Sequence, residues 1–95
     1  MEFNVLLSTR FARDFDRLAA KHAVSASLLD DALKPILQAD PYNRSRVYRI
    51  KKLKDIPAGK GQWCIRIGNW RIRYDISGTA VILHSFKPRP EAYRN

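Results

Sequence analysis

Acidic residues are scarce in this chain of 95 residues: nine stand against eighteen lysines and arginines. Cysteine is scarcer. Cys64 is alone, which excludes an intrachain disulfide framework and fits a reducing cytoplasm. His22 and His84 are the only histidines. With one cysteine they do not make metal-ligand spacing, so no metal and no small-molecule cofactor is expected. No run of about 18 apolar residues occurs, so no membrane span is expected. The opening MEFNVLLSTRFARDF has no basic leader before its short apolar run, so no signal peptide is read there. There is no internal repeat and no low-complexity segment. What remains is an apolar fraction of 45%, enough for a core, in a length that makes one domain over residues 1–95.

The acidic shortage is uneven. Up to Asn43, five basic residues (Arg10, Arg13, Arg17, Lys21, Lys34) face six acidic ones. From Arg44 onward thirteen basic residues face only Asp55, Asp75 and Glu91. The halves therefore carry −1 and +10, which return the net +9. Such asymmetry points to a polyanionic partner for the C-terminal half. Nucleic acid ranks before an acidic membrane, because the charge falls on expected strands and not on a basic amphipathic helix.

The stretch QWCIRIGNWRIRYDI, Gln62 to Ile76, reads as two strands joined by Gly68-Asn69. Glycine at the first turn position suits a type II′ hairpin. A two-residue loop sets Ile67 against Trp70, Ile65 against Ile72 and Trp63 against Tyr74, all on one apolar face. The other face then carries Arg66 opposite Arg71, Cys64 opposite Arg73, and Gln62 opposite Asp75. Directly opposed arginines repel by roughly a few tenths of a kcal/mol or more. That face is either a solvated basic surface or a seat for an anion.

Before the hairpin, Glu2 to Leu7 reads as a strand, and Ser8 is a good N-cap. Phe11, Phe15, Leu18 and Ala19 form one stripe of a helix from Thr9 to His22. A turn near Ala23-Val24 leads to a second helix, starting at Ser25 or Ser27 and ending at Ala39. Pro35 predicts a kink or break near Leu33. A further strand is expected at Arg46 to Lys51, and IPAGKG (Ile56 to Gly61) as a flexible loop. After a turn at Ser77-Gly78, the apolar strand Thr79 to Phe86 suits a central place in the sheet. The two prolines of KPRPEAYRN predict that no strand continues beyond it. The whole is an α+β domain: a small antiparallel-rich sheet with two N-terminal helices packed on its apolar face, Trp63 and Trp70 in the core, and the basic face open.

The segments KKLKD, WCIRIGNWRIRYDI and HSFKPRPEAY, with SxxFARDFDRL in the first helix, resemble the RelE/ParE superfamily of type II toxins. The basic tail with its tyrosine resembles the RelE-like branch within it. That resemblance implies a RelE-like fold and a metal-independent, ribosome-dependent mRNA endonuclease that uses the RNA 2′-OH as nucleophile. It implies a cognate antitoxin, the ribosome and mRNA as partners. Carried over by position, the catalytic set is Arg66, Arg71, Lys87 and Tyr93, and Arg89 is the second basic residue of the tail. With Arg89, the charge cluster Lys51, Lys52 and Lys54 and Arg73 on the open hairpin face are expected to bind RNA. The family places two basic residues two apart on the first hairpin strand. Here one is Arg66 and the other position holds Cys64. A ParE-like gyrase inhibitor and a non-catalytic nucleic-acid-binding module are the rival readings.

Attack by a 2′-OH on its own phosphate needs alignment, a base, an acid and neutralisation of growing charge. Arginine stays protonated, so the arginines bind phosphate or stabilise charge. Tyr93 can exchange a proton or stack on a base. Crowding by other cations lowers a lysine pKa, which makes Lys87 or Lys52 a candidate proton carrier. Arg73 opposite Cys64 favours ionisation of the thiol, which ranks below the lysines because a half-buried cysteine on a strand is more often inert packing.

Overall fold

Of the two turn residues at the hairpin tip only Gly68 has a positive φ, +57°, as a type II′ turn requires. The strands it joins are β3 (Trp63–Ile67) and β4 (Trp70–Ser77). Their register pairs Ile67 with Trp70, Arg66 with Arg71, Ile65 with Ile72, Cys64 with Arg73 and Trp63 with Tyr74, as expected from the sequence. The computed structural model describes residues 2–24 and 26–88. Around the hairpin it adds β1 (Asn4–Leu7), α1 (Thr9–His22), a π-helical segment (Leu28–Leu33), α2 (Lys34–Ala39), β2 (Ile50–Lys52) and β5 (Ala80–Pro88). The sheet order is β1-β5-β4-β3-β2. The β1–β5 pair is parallel and the other three pairs are antiparallel.

Ser8 caps α1 by accepting a hydrogen bond from the Phe11 amide at 3.0 Å. Ala23 ends it in the left-handed region at φ +54°. The helix buries Phe11, Phe15 and Leu18. Phe86 of β5 meets both phenylalanines edge-on, at 5.8 and 4.9 Å between ring centroids. Leu29, Leu33 and Leu37 from the second helical stretch complete this layer over Ile65, Ile72, Tyr74, Val81 and Leu83. Trp63 and Trp70 are half-buried at its border, not enclosed in it. The Tyr74 hydroxyl, fully buried, donates to the Pro41 carbonyl at 2.7 Å.

Several boundaries differ from expectation. The kink near Leu33 is the π-helical segment, in which the Lys34 amide bonds Leu29, five residues back. Pro35 has no N–H, and its ring collides with the carbonyl four residues earlier, so a wider turn accommodates it. Ser25, one of the two expected starts of this helix, lies outside the described residues. The strand expected over Arg46 to Lys51 is only Ile50–Lys52. Arg46 has φ +61°, which no strand contains, and Asn43 holds the preceding loop through its side chain. The first strand starts at Asn4, two residues late. The last strand runs on to Pro88, against the expected stop at Phe86. Its β1 partner ends opposite Leu83, so beyond that point one side of β5 has no β1 ladder for a proline to interrupt.

One irregularity shapes both faces. Tyr74 pairs with Leu83, but Arg73 pairs with Ser85, leaving His84 as an extra residue on β5. Leu83 and Phe86 are three apart and in a regular strand would face opposite ways. The bulge turns both into the core and returns Ser85 and Lys87 to the open side.

Candidate nucleic-acid interface

On the face away from the helices, cross-strand pairing builds rows of charge. Arg66, Arg71 and Lys87 are direct neighbours on β3, β4 and β5. The next row is Lys51, Cys64, Arg73 and Ser85 on β2 to β5. These rows wall a cavity of about 330 Å³, lined by the five cationic side chains of Lys51, Arg66, Arg71, Arg73 and Lys87 and by no carboxylate among the described residues. Cations gathered this closely on one sheet face attract an anion. Phosphate suits best, because guanidinium groups bind it in a bidentate fork.

The expected site residues do not all meet here. Arg66, Arg71, Lys87 and Lys51 do. Arg73 reaches the cavity wall, but its guanidinium donates to the carbonyls of Gly61 (2.9 Å) and Lys60 (2.8 Å). Lys52 pairs with Trp63 on the helix-covered side, its ammonium 5.8 Å from that ring's centre, as a cation over an indole face. Lys54 stands exposed in the turn after β2, and it does not line the cavity. Arg89 and Tyr93 lie outside the described residues.

Cys64 sits at the cavity floor with 8% exposure. The expectation of easier ionisation fails. Burial pushes the thiol above its ordinary pKa, and Arg71, Arg73, Lys51 and Arg66 offset this only in part. His84 is the half-buried bulge residue. Burial first, then Arg10, hold its pKa below the ordinary value.

Two structural devices were missed from the sequence. Asp75 is buried and accepts hydrogen bonds from the amides of Gly59 (3.0 Å), Gly61 (2.9 Å) and Gln62 (3.0 Å). With Arg73 gripping the carbonyls, it clamps the loop expected to be flexible. The signal was present: a carboxylate facing a glycine-rich turn full of free amides. The second device pins the basic stretch after α2. Asp40 accepts from the Arg44 amide, the Ser45 amide and the Ser45 hydroxyl. Asn43 exchanges side-chain hydrogen bonds with both backbone groups of Tyr48.

A five-stranded mixed sheet carrying helices on one face and a cationic cavity on the other defines the class of fold. No protein-family model and no curated protein matches the sequence. Solved structures match its fold. The toxin–antitoxin complex RelBE2 of Mycobacterium tuberculosis aligns over 94% of this chain and 100% of its own, with TM-score 0.70 and 22% identity. The DinJ–YafQ toxin–antitoxin complex of Escherichia coli aligns over 93% of each chain, with TM-score 0.66 and 17% identity. The archaeal RelE–RelB complex of Pyrococcus horikoshii covers 96% of this chain and 99% of its own, with TM-score 0.65 and 20% identity. The chain has the RelE-like α+β fold.

Proposed function

We propose that this protein is the toxin of a type II toxin–antitoxin pair and that it cuts mRNA on the ribosome without a metal. The observation that carries the reading is the row Arg66–Arg71–Lys87, set on adjacent strands of a RelE-like sheet and lining one cavity. In the reaction the 2′-oxygen forms a bond to the adjacent phosphorus and the 5′-oxygen leaves. The products are a 2′,3′-cyclic phosphate and a 5′-hydroxyl. Charge grows on the non-bridging oxygens during attack, so fixed cations favour the transition state over the bound substrate. Arg66 and Arg71 hold the phosphate, and Lys87 stands beside Arg71 as proton carrier or third cation. Arg89 and Tyr93 belong to the same proposal through the resemblance, Tyr93 as base platform or proton exchanger. Lys51 contributes affinity from the next row, and Lys54 supplies charge for ribosomal RNA. Lys52 is proposed only as an rRNA contact at the sheet's far edge. Arg73 acts through the loop it grips.

The partner that silences the toxin is an acidic antitoxin laid across this basic face. Two of the solved structures named above are toxin–antitoxin complexes and the third is a RelE–RelB complex.

Primer extension on ribosome-bound mRNA under single-turnover conditions tests the activity. Arg71→Ala should slow cleavage by about 10²–10³ with folding unchanged. Wild-type cleavage by Arg71→Ala would place the active site elsewhere. Trapped supercoiling reactions with no cut mRNA would favour a gyrase inhibitor.

A further inference from the structure

The cationic surface extends beyond the Arg66–Arg71–Lys87 row. A second hollow, also about 330 Å³, runs along the β2 edge. It shares Lys51, Cys64 and Arg66 with the first, and its far wall is Tyr48 and Arg49. The Arg66 amide bonds the Arg49 carbonyl at 2.9 Å, so the two walls are joined through backbone. From β4 to β2 is two strand spacings, about 10 Å, which suits successive backbone phosphates better than one.

Tyr48 differs from the other described tyrosines. Tyr42 packs against Phe3 and Trp63, and Tyr74 lies against Trp63. The Tyr48 ring meets no other aromatic ring among the described residues. Its backbone, in contrast, is fixed on both sides by Asn43, within a loop that Asp40 ties down. An aromatic ring on a pinned backbone beside a cation is the arrangement that stacks a splayed base while a phosphate is held nearby. Because the loop is already ordered, binding loses little conformational entropy there.

Resting on the reading of this face as an RNA site, we infer that the β2-edge groove is a second nucleotide subsite. A single RNA strand leaves the Arg66–Arg71–Lys87 row and passes over Lys51. Its next phosphate meets Arg49, and a base lies on Tyr48. The subsite therefore lengthens the recognised substrate beyond the scissile dinucleotide.

The test uses the full chain and two 2′-O-methyl oligoribonucleotides, which lack the nucleophile and cannot be cut: a dinucleotide and a pentanucleotide, in fluorescence anisotropy over a range of salt. The pentanucleotide should bind the unsubstituted protein more tightly than the dinucleotide. Tyr48→Ala should weaken the pentanucleotide about fivefold or more and leave the dinucleotide unchanged, and Tyr48→Phe should keep the affinity. Arg49→Ala, at an exposed position, should reduce the magnitude of the pentanucleotide's logarithmic salt slope by about 0.7. If Tyr48→Ala and Arg49→Ala bind the pentanucleotide as the unsubstituted protein does, the subsite is overturned. With Arg71→Ala still weakening both probes, the RNA face itself would survive that result. If Arg71→Ala also changes neither, the underlying reading falls and the subsite with it. Equal binding of duplex DNA, insensitive to Tyr48→Ala, would overturn the single-strand assignment.

Discussion

Two polar side chains, one buried and one half-buried, do work that their residue types alone do not announce. Tyr74 sits at zero exposure with its hydroxyl bonded to the Pro41 carbonyl, and burial drives its pKa well above the usual phenol value. Tyr74→Phe leaves that carbonyl without its donor in a place water does not reach. A stability loss of about 1–3 kcal/mol is expected, read as a lower urea midpoint at unchanged slope. His84 makes the opposite kind of contribution, to pH dependence. Desolvation and then Arg10 depress its pKa, with Arg73 and Lys60 adding to this and Asp75 opposing it. The folded state therefore binds this proton less readily than the unfolded chain, whose value is near the ordinary 6.5. The contribution is fully present above about pH 6.5 and is lost as pH falls through the depressed folded value. Urea midpoints should drop on acidification below neutrality, and His84→Gln should flatten that part of the profile. An unchanged profile in the variant would assign the titration to another group.

At the level of elements, the loop between β2 and β3 shows how a segment with no secondary structure becomes part of a site. Asp75 holds its amides and Arg73 its carbonyls. Gly61 lies directly against this clamp. A Cβ there would fall 3.0 Å from Arg73 Cβ and Nε and 3.1 Å from His84 Nδ1, at φ +76°. Gly59 has φ +88° but open space around it. Gly59→Ala should thus cost only backbone strain, about 1–2 kcal/mol. Gly61→Ala adds a collision with two side chains and should cost more, and thermal melts of the two variants side by side measure the difference. Equal losses would mean that the clamp yields without resistance. The hairpin was legible in the sequence because a two-residue turn with a leading glycine fixes register locally, and every side chain follows from it. With the register came the pairing of Arg66 with Arg71 on the open face. The clamp's parts stood in the sequence but not their pairing, because its bonds join residues 12 to 16 apart along the chain and no local pattern links them. Nor was the bulge at His84, since a period-two reading of TAVILHSF has no place for an extra residue. The β2 strand was overestimated for a similar reason: side-chain bonds from Asp40 and Asn43 outcompete a ladder over residues 43–48.

Seen whole, the molecule separates its two functions of sequence onto two sides of one sheet. The nearly neutral N-terminal portion supplies helices and covers the apolar face. The later portion carries the excess of ten positive charges, and its strands turn much of that excess toward the open face. Self-repulsion of this kind is tolerable on a surface and becomes favourable once a polyanion arrives. The proposed RNA substrate and the proposed acidic antitoxin therefore seek the same cations, and their binding should be mutually exclusive. Association with the antitoxin should be fast at low ionic strength and slow steeply as salt screens the steering field. Arg71→Ala removes one charge of many, so it should change antitoxin affinity little while abolishing most of the cleavage rate. Stopped-flow association over a salt series, followed by displacement of a labelled pentanucleotide by antitoxin, measures both consequences. A salt-independent association rate would show that apolar contacts, through exposed side chains such as Leu6, Leu7, Tyr42 and Val47, carry the encounter instead. Simultaneous binding of oligonucleotide and antitoxin would show that inhibition does not act by covering the cationic face.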